Sequence, residues 1–144
     1  IYLLLDIRRR ALGVREMVIK IEQALIQLLA NYGVHATGDR AAPGVYVEGR
    51  KIASLGLRVT KGCTYHGLSL NVAMDLEPFQ RINPCGYAGL QVTQCRDVGI
   101  TQTPLELAGE LCNCLAQQLG YRVLDWRGSQ TLNVISRGCH DFRQ

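Results

Sequence analysis

The sequence predicts an α/β or α+β domain. Two observations carry that expectation: apolar residues recur at three- and four-residue steps in two separated stretches, and they alternate over the stretch between, which glycine-containing turns punctuate. Helical and strand-like patterns are therefore interleaved. No internal repeat, low-complexity tract or linker divides the chain, so residues 1–144 read as one domain, long enough to enclose a core.

The opening "IYLLLDI" reads as a strand already in progress, which predicts a fragment whose N-terminal part is missing. "RRRALG" follows as a basic turn. From Gly13 the pattern becomes helical, with Val14, Met17, Val18, Ile21, Leu25, Leu28 and Leu29 on one apolar face. That helix should stop near Asn31-Tyr32-Gly33, where glycine takes a left-handed cap. "HATGDRAAPG" reads as a polar loop. "GVYVEG" and "KIASLGLRVT" form a predicted hairpin around Glu48-Gly49-Arg50, and Lys61-Gly62 turns the chain into a third strand, "TYHGLSLNVAM". "DLEPFQRINPCGYAGL", with two prolines and two glycines, is loop with one helical turn around Pro78–Arg81. A second helix begins at "TPLE": Thr103 caps, proline occupies the first turn, and Glu106 completes a capping box. Leu107, Leu111, Leu115 and Leu119 then line one face up to Gly120, and "RVLDW" beyond it is strand-like.

A net charge of +4 is mild. It suits an acidic protein partner, whereas a nucleic-acid binder carries a denser basic stripe. Arg8-Arg9-Arg10 reads as a solvated turn, with a docking patch for an acidic partner as the sharper alternative. The longest apolar runs, "YLLL" and "ALIQLLA", are too short or too interrupted to span a membrane, and no signal-peptide pattern supports secretion. The six cysteines, Cys63, Cys85, Cys95, Cys112, Cys114 and Cys139, have irregular spacings that suggest neither a disulfide framework nor a zinc site. Reduced thiols and a cytoplasmic protein are the expectation.

Three residues carry candidate chemistry. Cys85 lies in "NPCGY", where proline constrains the backbone on one side and glycine admits close approach on the other. Such a turn presents a nucleophilic thiolate, although a packed loop cysteine is the plainer reading. Lys51 opens a strand of apolar and small residues. Buried near a thiol it would lower the thiol pKa; just past a hairpin turn it would ordinarily face solvent. His66 either donates into a pocket or is a structural histidine. Glycines within "SLG" (54–56) and "GLS" (67–69) mark places where a ligand or another chain comes close. Neither GxxxxGK[ST] nor GxGxxG is present, so the usual phosphate cradles are missing.

In order, "APGVYVEGRKIASLGLRV", "HGLSLNVAMDL" and "FQRINPCGYAG" resemble the lipoyl(octanoyl) transferase family, and "GVREMVIKIEQALIQLLANYGV" fits the same pattern. The resemblance implies the fold of biotin and lipoate protein ligases, a mixed sheet with packed helices. It implies octanoyl transfer from acyl carrier protein to a lysine of lipoyl-dependent enzymes, namely the lipoyl domains of 2-oxoacid dehydrogenases and the glycine cleavage H protein. By the same resemblance Cys85 matches the nucleophile that carries the acyl group as a thioester, and Lys51 the lysine that lowers its pKa. Ser54, Leu55, Gly56, Gly67, Leu68 and Ser69 match the segments lining the acyl pocket, with His66 in the same motif. A thioester donor is already activated, so no ATP or other cofactor is implied.

The family's earlier Gly-rich motif would lie upstream of Ile1; "TYHG" at 64–67 belongs to the later strand. Octanoyl transfer between lipoyl domains by a related cysteine acyltransferase is the nearest alternative. A non-catalytic acyl-protein binding module, in which Cys85 only packs, is the alternative from another class.

Overall fold

The computed structural model describes residues 1–80 and 89–121. The expectations for "RVLDW" and the tail after it lie outside them.

Helix α1 spans Val14–Asn31. Its stripe of Met17, Ile21, Ala24, Leu25, Leu28 and Leu29 has no exposed surface. Complete burial of its methionine, isoleucine and leucine side chains is worth about 1.5–3 kcal/mol each, which holds the helix more firmly than propensity does. The helix ends as the sequence predicts: Gly33 takes φ +73° and its amide donates to the Ala30 carbonyl at 2.9 Å. Helix α2 is the single turn Glu77–Gln80.

Helix α3, Pro104–Leu119, carries the predicted capping box. Thr103 N–H donates to Glu106 Oε2 at 2.8 Å, and Glu106 N–H donates back to Thr103 Oγ1 at 3.3 Å. Leu107, Leu111, Leu115 and Leu119 are buried, and α3 packs along α1. Tyr32 Oη donates to Glu110 Oε1 at 2.6 Å across that contact, and this bond leads the effects that push the tyrosine pKa up to about 12.

The sheet has four strands in the order β1-β2-β3-β4: Thr37–Gly38, Gly44–Val47, Arg50–Thr60 and Cys63–Leu70. All three pairings are antiparallel, which resolves the class as α+β. Both hairpins turn on two residues with positive φ, Glu48 (+49°) with Gly49 (+76°) and Lys61 (+51°) with Gly62 (+79°). That is the type I′ turn, whose twist matches the flanking strands. Strand β1 lies inside the stretch that reads as a polar loop. Two residues are too few to show alternation, and they become a strand only by pairing with Tyr46 and Val45.

The opening segment runs antiparallel along the free edge of β4. Leu3 N–H donates to the His66 carbonyl at 2.7 Å, Thr64 N–H to the Leu5 carbonyl at 2.8 Å, and Ile7 N–H to the Gly62 carbonyl at 3.0 Å. Leu3, Leu5 and Ile7 are buried while Tyr2 and Leu4 are exposed, so the strand-like alternation is real. The ladder is nevertheless reduced to isolated bridges at Tyr2–Gly67 and Asp6–Cys63. Its physical cause is Thr64: the hydroxyl enters the ladder, accepting from Leu5 N–H at 3.0 Å and donating to the Leu3 carbonyl at 2.8 Å. His66, at φ +69°, twists the same edge. Arg8, in a 3₁₀ turn spanning Arg8–Arg10, donates to Asp6 at 3.2 Å.

One parallel bridge, Lys51–Val92, makes the sheet mixed. Asn71 fastens that region: its amide donates to the Ile52 carbonyl at 2.9 Å, its side chain to the Thr93 carbonyl at 2.9 Å, and its carbonyl accepts from Cys95 N–H at 2.9 Å.

Candidate functional site

Lys51 is enclosed on both sides of β3. Toward β2 it pairs with Tyr46. On the opposite edge its amide donates to the Gln91 carbonyl at 2.8 Å, and its carbonyl accepts from Thr93 N–H at 2.9 Å. The residue is 2% exposed, so the ordinary expectation of a solvent-facing lysine does not hold. Its ammonium lies 5.5 Å from the centroid of the Tyr46 ring, within range of a cation–π attraction. The Tyr46 hydroxyl in turn donates to the Ala42 carbonyl at 2.6 Å, fixing the ring.

Beyond Lys51 the two glycine-bearing segments meet residue for residue. Ser54 pairs with Ser69, Leu55 with Leu68 and Gly56 with Gly67. Directly opposed residues of an antiparallel pair share a face, and faces alternate along each strand. Leu68 lies in the hydrophobic core and Leu55 packs against it. The other face carries two serines and two glycines, so no bulky side chain rises from four neighbouring positions. A groove of about 490 Å³ opens there, lined by Ser54, Leu55, Gly56, His66, Gly67, Leu68 and Ser69 together with Ile1 and Tyr2. His66 is exposed at its rim, its ring centroid 6.3 Å from Tyr2 and 5.0 Å from Tyr65. The sequence-predicted lining residues are thus brought together, whereas Ile1 and Tyr2 join them only through the tertiary pairing of the opening segment.

Cys85, with Pro84 and Gly86, lies outside the described residues. From Gly89 onward the chain lies beside Lys51, since Gln91 supplies the carbonyl that takes the Lys51 amide. Cys95, Cys112 and Cys114 are free thiols. Burial pushes the Cys95 and Cys112 thiols up to about 11 and raises that of Cys114 as well, leaving all three protonated and unsuited to nucleophilic work at neutral pH. Among the described residues no group of three His, Cys, Asp or Glu side chains is placed to hold a metal ion, and no helix is long and apolar enough to cross a membrane.

The reading from sequence missed two residues around Lys51. Glu22, on α1, is 8% exposed and accepts a hydrogen bond from Gly44 N–H at 3.2 Å. Gly44 in turn abuts the Lys51 side chain. A carboxylate one step from Ile21 and three before Leu25, within the apolar stripe of a helix, is the available signal.

The profile described as the lipoyl protein ligase A/B catalytic domain matches residues 1–114. Curated octanoyltransferases from Shewanella sp. (strain ANA-3) and Shewanella frigidimarina are each 56% identical over 124 residues, covering 86% of this chain and 57% of theirs. The chain therefore spans a little over half the length of these relatives. Among solved structures, biotin protein ligase from Aquifex aeolicus superposes with a TM-score of 0.68 at 13% identity, over 83% of this chain and 50% of that one. A lipoate-protein ligase A bound with ATP gives 0.61 at 15% identity, over 76% of this chain and 49% of that one. The fold is that of the biotin and lipoate protein ligases, and the chain belongs to the lipoyl protein ligase A/B catalytic domain family.

Proposed function

We propose that this chain forms the larger part of the catalytic domain of an octanoyltransferase acting in protein lipoylation. Octanoyl-acyl carrier protein is the donor. Lysines of the lipoyl domains of 2-oxoacid dehydrogenases and of the glycine cleavage H protein are the acceptors, in the cytoplasm. The observation that carries this reading is the groove along the paired "SLG" and "GLS" segments, running along the same strand as the buried Lys51. The octanoyltransferase relatives at 56% identity support the same class of reaction.

Two steps suffice. The Cys85 thiolate attacks the octanoyl carbonyl carbon, forming a carbon–sulfur bond while the bond to the carrier's sulfur breaks and the carrier leaves as a thiol. The acceptor lysine, having lost a proton, then attacks the Cys85 thioester; a carbon–nitrogen bond forms and the thiolate is released. Lys51 stabilises the Cys85 thiolate as a cation, gives its proton to the departing carrier sulfur, and as the neutral amine then takes the proton released when the acceptor amine attacks. Ser54, Leu55, Gly56, Gly67, Leu68 and Ser69 line the acyl chain, with His66 at the rim. Backbone N–H groups of the glycine-bearing strands stabilise the oxyanion.

Intact-mass measurement of the complete natural protein after incubation with octanoyl-acyl carrier protein tests this. One added octanoyl group, removed by hydroxylamine and missing in Cys85→Ser, is expected. A folded protein that gains no mass rules out the covalent route. Transfer from an octanoylated lipoyl domain but not from acyl carrier protein would instead make the donor another lipoyl domain.

A further inference from the structure

Lys51 lies against backbone as well as against side chains. A β-carbon built on Gly44 would lie 2.4 Å from Lys51 Cε and 3.2 Å from Nζ, so bare backbone at Gly44 is the wall along which the lysine stem runs. That wall begins strand β2 just after a polar loop, where Gly44 pairs with Ser54 of β3. A second restraint comes from α1: the Glu22 carboxylate, one of few buried charged groups among the described residues, accepts from Gly44 N–H at 3.2 Å. The same carboxylate lies against Gly38 of β1, where an added β-carbon would be 3.0 Å from Glu22 Oε2. A single side chain of α1 thus bonds β2 and lies against β1 at the point where the Lys51 stem passes.

We propose that Glu22 is a positioning residue for Lys51, holding the Gly44 backbone so that the lysine stem is confined and its ammonium kept in place. The coupling runs from α1 through the Gly44 amide to Lys51, and Glu22 itself touches no reacting atom. This inference rests on the functional reading of Lys51 only for its consequence in catalysis; the placement of the lysine can be measured separately. Burial raises the Glu22 pKa, offset in part by the Gly44 hydrogen bond. Glutamine, with a neutral carbonyl that still accepts from Gly44, is therefore the conservative replacement.

The test is reductive methylation of the complete natural protein followed by peptide mass mapping of Lys51. In the wild type Lys51 should resist labelling, as burial dictates. Glu22→Ala should raise its labelling about tenfold, while Glu22→Gln stays near the wild type, an estimate that follows from loss of one buried hydrogen bond worth about 1.4 kcal/mol. Should Glu22→Ala fail to fold, Glu22→Asp, which withdraws the carboxylate from Gly44, should raise labelling in the same direction. Wild-type labelling of Lys51 in the folded Glu22→Ala or Glu22→Asp protein overturns the proposal, even if the melting temperature falls. A parallel pH profile of Cys85 alkylation separates the two readings. If Lys51→Ala leaves that profile unshifted, the role of Lys51 in activating Cys85 fails, whereas labelling still decides the role of Glu22. If Lys51→Ala moves the profile upward, Glu22→Ala should move it upward by about one pH unit and Glu22→Gln should not.

Discussion

Gly44 and Lys51 are in contact so close that the glycine cannot carry a side chain: an added β-carbon would meet Lys51 Cε at 2.4 Å and the Ala53 carbonyl oxygen at 2.7 Å. The lysine stem could swing away, but the carbonyl belongs to the neighbouring strand and cannot. Gly44→Ala should therefore both displace Lys51 and strain the β2–β3 pairing, at a cost of about 1–3 kcal/mol in denaturant melts. Octanoyl transfer should fall more than stability alone explains. A variant with an unchanged melt would mean that the strands part easily at this point.

The opposed glycines Gly56 and Gly67 should respond in opposite ways. A β-carbon on Gly67 would lie 2.2 Å from the Ile1 carbonyl oxygen and 3.1 Å from Leu3 N, both backbone atoms of the opening segment. One on Gly56 meets nothing within 4 Å. Gly67→Ala should push the opening segment off β4 and lower stability by about 1–3 kcal/mol. Gly56→Ala should leave the melt nearly unchanged yet reduce acylation of Cys85, because its methyl group enters the groove. Equal melts for the two variants would contradict this assignment of the opening segment.

What the sequence revealed, and what it hid, follows from the range of the interactions. Helices α1 and α3 were legible because their signals are local: a repeating apolar stripe, a capping box within four residues, and glycines at Gly33 and Gly120 with φ +73° and +68°. Gly49 and Gly62 marked their hairpins for the same reason. Strand β1 was hidden because it exists only as a partner of Tyr46 and Val45. The burial of Lys51 was hidden too, since a lysine one residue past a turn is ordinarily solvated. It is enclosed only because Tyr46 pairs with it on one edge and the segment at Val92 on the other. The groove was legible as two glycine-bearing triplets, but their register against each other was not.

The buried thiols make stability depend on alkaline pH. Cys95 and Cys112 are held near 11 by burial, whereas a thiol in the unfolded chain ionises near pH 8.5. Between those values the unfolded state has released protons that the folded state still holds, so stability falls as pH rises. It should be fully present below about pH 8.5 and decline through the folded values near 11. Urea midpoints taken from pH 8 to 10.5 should drop, and the double variant Cys95→Ala, Cys112→Ala should show a shallower decline. An identical slope in the double variant would assign the effect to other groups.

Thr93 offers the opposite kind of change, a substitution that should stabilise. Its backbone is fully used: the amide donates to the Lys51 carbonyl, and the carbonyl accepts from Asn71 Nδ2. Its hydroxyl is buried and has no hydrogen-bond partner among the described residues. A buried hydroxyl left without a partner forfeits its hydration with nothing in return, whereas a methyl group of the same shape does not. Thr93→Val should therefore raise stability by about 1–2 kcal/mol, with the parallel bridge at Lys51–Val92 intact. Because that bridge fixes one edge of Lys51, acylation of Cys85 should keep its pH profile while the denaturation midpoint rises. A midpoint that falls instead would show that the Thr93 hydroxyl is satisfied in solution.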